Sequence, residues 1–462
     1  MYKIIKYLDY IIYGSIILIP FFVSIAPAPV NILMGFLIIS FLTKKVLKKE
    51  RLFTNTPLNI PLLLLFLITC LSFLNSINYF DTLKGGAFRL IEYILIFFVM
   101  VEEVKDPRHI RMIVFAISTG LILASFDGIW QVLTGRDFIR GYAPVINIGL
   151  VRATAAFKDS NILGIYLSAF APLIWGLNLY YFMVQESIKH FPIPLRKSFK
   201  VIADHAYGGS RQSRLRRIPP KAERREGDFL ENKQKLTFTF VSFIALIGII
   251  LTYSRPTLLA IYVVLFFLGV ARKDKILISL LIIFTLLSPF LLPKSVKKWA
   301  AEVEYNPLRF MCNDDRLAVY RNSFNMIKDH PFIGLGANTY MKNYKKYREP
   351  VEYRNIVTKD YMYAHNNFLH MAAEIGLIGL GFFIWLLYKL FMECRNIYRK
   401  LEDDYMKIVS LSLSACLIAF LVNGLTESSL YYSRVAIIFW YIMGLALALN
   451  KFTPSYMQEK GI

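Results

Sequence analysis

Apolar runs of about 20 residues recur along nearly the whole of this 462-residue chain, and they constrain its fold more than any other feature. A run of that length crosses the hydrocarbon core of a bilayer as an α-helix. Hydrophobic residues make up 56% of the sequence and charged residues only 19%, a balance that excludes an ordinary soluble protein. The sequence lacks the short segments of alternating polarity that are typical of a membrane β-barrel. It therefore predicts an all-α, polytopic membrane protein with a single integral membrane domain over residues 1–462.

The apolar runs predict about 12 transmembrane helices, once tilt and uncertain helix ends are allowed for. The predicted spans are residues 8–26, 29–44, 57–77, 87–101, 110–133, 162–184, 236–254, 256–271, 276–293, 367–391, 407–426 and 433–450.

The orientation is predicted from basic residues in the loops, because loops rich in lysine and arginine stay in the cytoplasm. The loop after the second span contains Lys44, Lys45, Lys48, Lys49 and Arg51. Alternation of the spans from that loop predicts that both termini are cytoplasmic.

A second basic cluster lies in the segment 185–235, which the same alternation also assigns to the cytoplasm. This segment is polar, contains Gly208-Gly209 and Pro219-Pro220, and has no sustained apolar period, so we expect a flexible insertion. Contact with anionic membrane lipid explains its charge, and a docking site for a protein partner is the alternative. The net charge of +22 therefore requires no nucleic acid.

The opposite side of the membrane carries two substantial loops, 134–161 and 294–366. The second has a helical period near Arg316–Ile327 and more basic than acidic residues, and it is long enough to cover the mouth of the membrane domain. A basic surface of this kind suits an anionic substrate. We expect the 294–366 loop to carry part of an active site.

Arg255 lies in Leu251-Thr-Tyr-Ser-Arg-Pro-Thr257, where two spans meet so closely that its guanidinium must lie near the membrane interface. An arginine there costs about 2–3 kcal/mol on the milder insertion scales. It either reaches lipid phosphate along the surface or clamps a substrate phosphate, which its planar fork binds through two oxygens at once. We favour the clamp.

Arg152 lies just before the sixth span, and its residue type fits either an anion contact or an ordinary loop arginine. Asp159 and Asn161 follow it and are expected to cap the next helix.

Arg316 and Arg321 lie in a helical segment that starts at Asp314-Asp315. The two aspartates fit the negative charge favoured at a helix N-terminus, and a metal site is the weaker interpretation, because no further ligands are adjacent.

His365 stands at the start of an apolar helix, directly after the long polar loop, and is the candidate general base. A neutral imidazole accepts a proton near neutral pH. His370 and Glu374 follow on the same predicted helix and are expected to face the interior of the bundle. Glu427 and Asp127 are further carboxylates within apolar surroundings, and the sequence assigns them no role.

At these residues the sequence resembles the O-antigen ligase and O-antigen polymerase superfamily. The histidine pattern of that superfamily is met by His365, Asn366, Gly376 and Gly379. Three further features resemble it in the same order along residues 150–380: Arg152 with Phe157 and Asn161, Ser254-Arg255, and Arg316 with His330-Pro331, Gly334 and Gly336.

The resemblance implies a GT-C-like glycosyltransferase of the bacterial inner membrane that takes a glycan from undecaprenyl diphosphate in the periplasmic leaflet. The acceptor is a sugar hydroxyl of lipid A-core for a ligase or another lipid-linked glycan for a polymerase. The implied reaction inverts the anomeric centre and uses no metal and no cofactor. His365 deprotonates the acceptor, Arg255 assists the departing diphosphate, and diphosphate or glycan binding falls to Arg152, Arg316 and Arg321.

Three other functions compete with a ligase. A polymerase and a protein O-oligosaccharyltransferase would use the same residues with different acceptors, and the matched histidine pattern favours the ligase. A transporter or flippase of lipid-linked sugars would show internal repeats and charges at the middle of the membrane. The sequence shows no repeat, and its notable charges gather at one face.

Overall fold

The computed structural model describes residues 1–147, 149–190, 220–291, 294–302, 304, 306, 314–348 and 362–460. Helices account for most of these residues, and the predicted all-α class is confirmed.

The first part of the chain, up to residue 190, forms seven helices and a small hairpin. The helices are α1 (Tyr2–Phe22), α2 (Pro27–Lys48), α3 (Asn59–Leu71), α4 (Tyr79–Asp81), α5 (Arg89–Glu103), α6 (Pro107–Thr134) and α7 (Ser160–His190). A π-helical stretch, Thr82–Phe88, joins α4 to α5. Strands β1 (Val145–Asn147) and β2 (Leu150–Arg152) pair antiparallel, with Val145 opposite Arg152.

After residue 190, the described residues form ten further α-helices. They are α8 (Pro220–Leu251), α9 (Arg255–Arg272), α10 (Lys275–Leu291), α11 (Lys294–Glu302), α12 (Asp314–Asp329), α13 (Tyr340–Tyr347), α14 (Asn367–Lys400), α15 (Asp404–Asn423), α16 (Ser433–Ala448) and α17 (Pro454–Lys460). The predicted helical period near residues 316–327 is thus part of α12.

Each of the twelve predicted spans corresponds to a helix, but within the described ranges only nine helices are long and apolar enough to cross a membrane. The three that fall short are α3 with 13 residues, α5 with 15 and α10 with 17. A polytopic membrane protein is therefore established, and the number of 12 spans stays a prediction.

The core of the bundle is built around α7, α15 and α16, whose apolar residues are buried on nearly all sides. A helix that is hydrophobic all round belongs in the interior. Helix α15 packs against α7 and α9, and α16 packs against α5. Residues 424–432 join α15 to α16. This connection contacts loops that lead into several other helices.

Two lysines of the predicted topology signal have an additional role that their sequence context did not indicate. Lys44 donates to Glu103, with 2.7 Å between Nζ and Oε2, and also pairs with Asp9. Lys45 pairs with Glu102. Both lysine side chains are buried, and they neutralise carboxylates within α1 and at the end of α5.

The predicted insertion 185–235 is helical at both ends, because α7 continues to His190 and α8 begins at Pro220. Residues 191–219, which contain most of its arginines, lie outside the described residues. The 294–366 loop contains α11, α12 and α13, and its stretch 349–361 also lies outside them.

Candidate active site

His365 is held at the start of α14 by its neighbour in the sequence. The Asn366 side chain caps the helix, since its Oδ1 accepts from the backbone N–H groups of Phe368 and Leu369 at 2.8 and 3.0 Å. His365 itself adopts a left-handed backbone conformation, with φ of 49°. A non-glycine residue in that region is strained and often marks a functional site.

The partner of His365 is Glu427, which lies between α15 and α16. The distance from His365 Nδ1 to Glu427 Oε2 is 3.1 Å. An ionised carboxylate only accepts hydrogen bonds, so the Nδ1 atom carries the proton. The Nε2 atom of the neutral ring then has a free lone pair. The side chain of His365 is 24% exposed.

Glu427 is the centre of the site. Its carboxylate is buried, and it accepts from the guanidinium of Arg316 and from the Asn161 side chain, the latter at 2.8 Å between Nδ2 and Oε1. Burial on its own raises the pKa of a carboxyl group. Here the hydrogen bond from His365 and the positive charge of Arg316 outweigh burial and lower the pKa of Glu427, which keeps it ionised.

Arg152 joins the site through Asn161. Its Nη2 donates to Asn161 Oδ1 at 2.8 Å, and its Nε donates to the backbone carbonyl of Thr252 at 2.9 Å. Burial and the nearby charge of Arg316 lower the pKa of Arg152. Since arginine has so high an ordinary pKa, it remains charged. The structure thus connects Arg152 to Glu427 through Asn161, and the anion contact of Arg152 stays a prediction.

The capping prediction for this segment is confirmed for Asp159 and wrong for Asn161. Asp159 Oδ1 accepts from the backbone N–H groups of Asn161 and Ile162, at 2.7 and 3.1 Å. Asn161 already lies within the first turn of α7, which begins at Ser160. Its side chain connects Arg152 to Glu427 instead.

Arg255 begins α9 at the same end of the bundle. In the turn before it, the backbone carbonyl of Thr252 accepts the hydrogen bond from Arg152. The turn after it is tied to the end of α15, because Thr257 Oγ1 donates to Asn423 Oδ1 at 3.1 Å. Only three residues separate Asn423 from Glu427 in the sequence. The turn at Arg255 is thus linked to Glu427 in two ways, through Arg152 with Asn161 and through Thr257 with Asn423.

The two arginines of α12 have different positions. Arg316 pairs with Glu427 and its side chain is 12% exposed. Arg321 is exposed and five residues further on, a rotation of about 140° around the helix. None of the contacts of Glu427 or His365 within the described ranges involves Arg321. The predicted role of Arg321 in substrate binding stays a prediction.

The predicted apolar helix after His365 is interrupted at Gly376, where φ is 74° and ψ is 177°. The loop at 331–336 forms hydrogen bonds with the backbone on both sides of this break. Leu377 donates its N–H to the carbonyl of Pro331 at 2.8 Å, and Leu335 donates to Ala373 at 2.9 Å. A Cβ atom on Gly376 would lie 2.0 Å from the carbonyl oxygen of Phe332, so only glycine fits.

A second, buried histidine, His370, contacts the residues next to Glu427. Its ring stacks on Tyr431 with 3.4 Å between centroids, and its Nδ1 lies 3.2 Å from the hydroxyl of Ser428. Its Nε2 lies 3.3 Å from Glu374, which also accepts from the backbone N–H of Tyr340 at 3.0 Å. The expectation that both residues face the interior is confirmed. Ser428 adjoins Glu427, so this cluster fixes the backbone beside the carboxylate.

Glu427 is the site residue to which the sequence assigned no role. The available signal was a single carboxylate between two apolar spans, a placement that is costly and usually functional. Its partners stand 62, 111 and 266 residues away along the chain, at His365, Arg316 and Asn161. No local pattern reveals contacts over such distances.

Within the described part of the chain, no group of three or more histidine, cysteine, aspartate or glutamate side chains is arranged to hold a metal ion. Asp314 and Asp315 form the start of α12, as expected from their sequence position.

Residues 240–384 match the model of a protein family described as O-antigen ligase. This match confirms the resemblance seen in the sequence. It includes Arg255, Arg316 and His365, and it ends before Glu427. A comparison with curated proteins gave no match.

Proposed function

We propose that the protein is an inverting, metal-independent glycosyltransferase of the bacterial inner membrane, a function supported by the match of residues 240–384 to the model of a family described as O-antigen ligase. It moves a polysaccharide from undecaprenyl diphosphate to a sugar hydroxyl of lipid A-core on the periplasmic side. The observation that supports this most is the hydrogen bond between His365 and the buried, ionised Glu427.

That hydrogen bond prepares His365 to act as a base. Glu427 holds the proton on Nδ1 and leaves Nε2 to take the proton of the acceptor hydroxyl. A carboxylate behind the ring also stabilises the imidazolium that forms. A general base of this type contributes about 10²–10⁴-fold to a rate.

The proposed reaction is a single displacement. The acceptor oxygen forms a bond to the anomeric carbon of the donor while its proton passes to His365 Nε2. The bond between the anomeric carbon and the phosphate oxygen breaks, and the diphosphate leaves with the electron pair. One displacement inverts the configuration at that carbon.

The departing diphosphate gains negative charge, and fixed cations lower the energy of that step. We assign this role to Arg255 and Arg152. Arg152 is buried in part and remains charged, so its field is screened less than that of a surface arginine. Arg316 is paired with Glu427, so we assign it first to holding the carboxylate and only second to the substrate.

The decisive experiment is transfer by purified protein in membranes, with a lipid-linked glycan donor and lipid A-core as acceptor. We expect His365→Ala to lower the rate by about 10²–10⁴-fold. The matched control is His330→Ala, which replaces a histidine at the end of α12 that has no contact with Glu427 among the described residues. A His365→Ala rate equal to that of the control would rule out this mechanism.

The acceptor separates the ligase from the two alternatives that share its site. A lipopolysaccharide gel from a deletion strain tests it directly. Loss of long chains from lipid A-core, with polymerised chains retained on the carrier lipid, identifies a ligase. Carrier lipid bearing single repeats identifies a polymerase, and loss of glycoprotein staining identifies a protein O-oligosaccharyltransferase.

A further inference from the structure

A second cationic cluster lies beside the middle of the 152–161 segment. It consists of Arg140, Tyr142, Lys158 and Arg434. The guanidinium carbon of Arg140 lies 5.5 Å from the centre of the Tyr142 ring, and the Nζ atom of Lys158 lies 5.9 Å from it. One aromatic ring thus has two cations beside it, and both cationic side chains are exposed.

Arg434, the second residue of α16, lies half-buried next to this group. Its Nε donates to the carbonyl of Val23 at 2.8 Å, its Nη1 donates to the carbonyl of Ala156 at 2.7 Å, and its guanidinium carbon stands 3.8 Å from the centre of the Phe157 ring. The Nη2 atom is buried and has no hydrogen-bond partner among the described residues. An unsatisfied buried donor costs about 1–3 kcal/mol, so it calls for an explanation.

The charges of the cluster are not balanced. Arg434 lies within electrostatic range of Arg140 and Tyr142. Across the described ranges, no ion pair includes Arg140, Lys158 or Arg434. Asp137 is the carboxylate of this loop, and it accepts from the backbone N–H groups of Arg140, at 2.6 Å, and Tyr142. Three cations held together repel one another, and a bound anion relieves that repulsion.

The surroundings indicate an anion that is carried by a lipid. The hairpin beside the cluster and the loop before it expose apolar side chains: Val145, Ile146 and Val151 in the hairpin and Phe138 in the loop. Arg434 stands at the first turn of a candidate membrane span. Apolar side chains next to cations at the end of a span are the arrangement that contacts both the chains and the headgroup of a lipid.

The cluster is connected to the candidate active site through one short segment. Arg152 and Asn161 at the two ends of this segment bind towards Glu427, whereas Ala156, Phe157 and Lys158 in its middle face Arg434 and Tyr142. A ligand at the cluster would therefore act on the backbone that positions Arg152.

We infer that Arg140, Tyr142, Lys158 and Arg434 form a second anion site, which binds the phosphate group of a lipid. A planar guanidinium and an ammonium group together supply the charge-assisted hydrogen bonds that phosphate accepts. The lipid is either a phospholipid of the bilayer or the lipid-linked substrate. The second source rests on the proposed function, whereas the first does not.

The test uses the full-length protein in phosphatidylcholine nanodiscs, with phosphatidylglycerol and farnesyl diphosphate as separate probes. The variant is Arg140→Gln with Lys158→Gln, because both side chains are exposed and their loss leaves the core intact. The control is Arg136→Gln, an exposed arginine of the same loop. Loss of charge-assisted bonds should weaken binding about tenfold or more in the double variant, with less than a twofold change in the control.

The probe that loses affinity identifies the source of the phosphate. Weaker binding of phosphatidylglycerol alone indicates a bilayer lipid, and weaker binding of farnesyl diphosphate indicates the substrate. Equal affinities in the variant and the wild type, or no binding of either probe by the wild type, would overturn the inference.

A further variant separates this inference from the proposed function. His365→Ala should bind both probes as the wild type does, because His365 makes no contact with the cluster among the described residues. A protein without transferase activity that still shows the tenfold difference retains the anion site and loses the proposed function. The reverse outcome retains the function and loses the site.

Discussion

The two ends of the helix bundle both contain buried carboxylates paired with cations, and they differ in which groups pair and how far those groups are exposed. At the end near the first predicted basic cluster, Lys44 and Glu103 are each no more than 5% exposed in their side chains. At the opposite end, Glu427 is equally buried, but its partners Arg316 and His365 are 12% and 24% exposed.

This difference separates a structural ion pair from a candidate active site. Lys44 is in contact with two carboxylates, so its charge is used within the protein. Glu427 instead contacts the imidazole of His365, whose side chain is partly exposed. A buried ion pair alone is weak evidence of function. It is also weak evidence of stability, because removing two charges from water costs free energy that their attraction must first offset. The partly open base is what distinguishes the Glu427 end.

The largest expected effect is on the Glu427 end. Glu427→Gln retains the shape of the side chain but allows its amide to donate to His365 Nδ1, which favours the wrong tautomer. We expect the transfer rate to fall by about 10²–10⁴-fold while the affinity for the donor changes little. Steady-state kinetics with the lipid-linked donor measure both quantities. An equal loss of affinity and rate would indicate a collapsed site instead.

The next largest effect is expected at the Lys44 end of the bundle, where the measured quantity is the stability of the fold. Lys44→Met leaves Glu103 and Asp9 without their shared cation, and breaking a buried pair in this way costs about 3–5 kcal/mol. We expect a lower Tm in detergent and an unchanged transfer rate per folded molecule. The matched control is Lys48→Met on the same helix, whose side chain is 33% exposed and whose loss should have a small effect. A Lys44→Met variant with a full Tm and a reduced rate would reverse the assignment of the two ends.

A smaller effect should separate the two arginines of α12. Arg316→Gln removes a cation from the buried Glu427, and we expect the rate to fall by about 10–100-fold. Arg321→Gln alters an exposed side chain on another face of the helix and should change the rate by less than about twofold. The ratio of the two rates in one membrane preparation is the measurement. Equal losses would mean that Arg321 reaches the substrate after all.

The smallest effect is on the pH dependence of stability. The folded protein lowers the pKa of Glu427, so its ionised form stabilises the fold above the ordinary pKa of glutamate, about 4.3. That contribution is lost as the pH falls through the lowered value. The Tm difference between the wild type and Glu427→Gln should therefore shrink as the pH falls below about 4. A difference that grows on acidification would show that the pKa is raised.

The helices were predictable because the bilayer permits few other structures. A spanning segment must satisfy its backbone internally and be about 20 apolar residues long. Both demands are local, so every predicted span coincides with a helix. The shorter helices α3, α5 and α10 show the limit of that argument, because their lengths depend on neighbouring elements as well as on composition.

The break at Gly376 and the role of Glu427 were not predictable. Ala372-Ala373-Glu374-Ile375-Gly376-Leu377 has the composition of a continuous helix, and the break is stabilised by hydrogen bonds to residues 331–336. Glu427 obtains its role from partners on other helices. In both cases the cause lies in contacts between distant parts of the chain. The position of His365 at a span boundary, by contrast, is a local property that the sequence shows directly.

The interruption at Gly376 divides α14 into a short segment next to His365 and a longer segment that spans the membrane. The part of α14 before the break is hydrogen-bonded to the 331–336 loop through the carbonyls of Ala373 and Glu374, and beyond Leu377 the helix makes no further backbone hydrogen bond to that loop among the described residues. Thinner or thicker bilayers should then reorient the lower segment while the base keeps its register with Glu427. We expect turnover to vary little across phosphatidylcholines of increasing acyl length, and a steep dependence would mean that the joint at residue 376 transmits membrane stress.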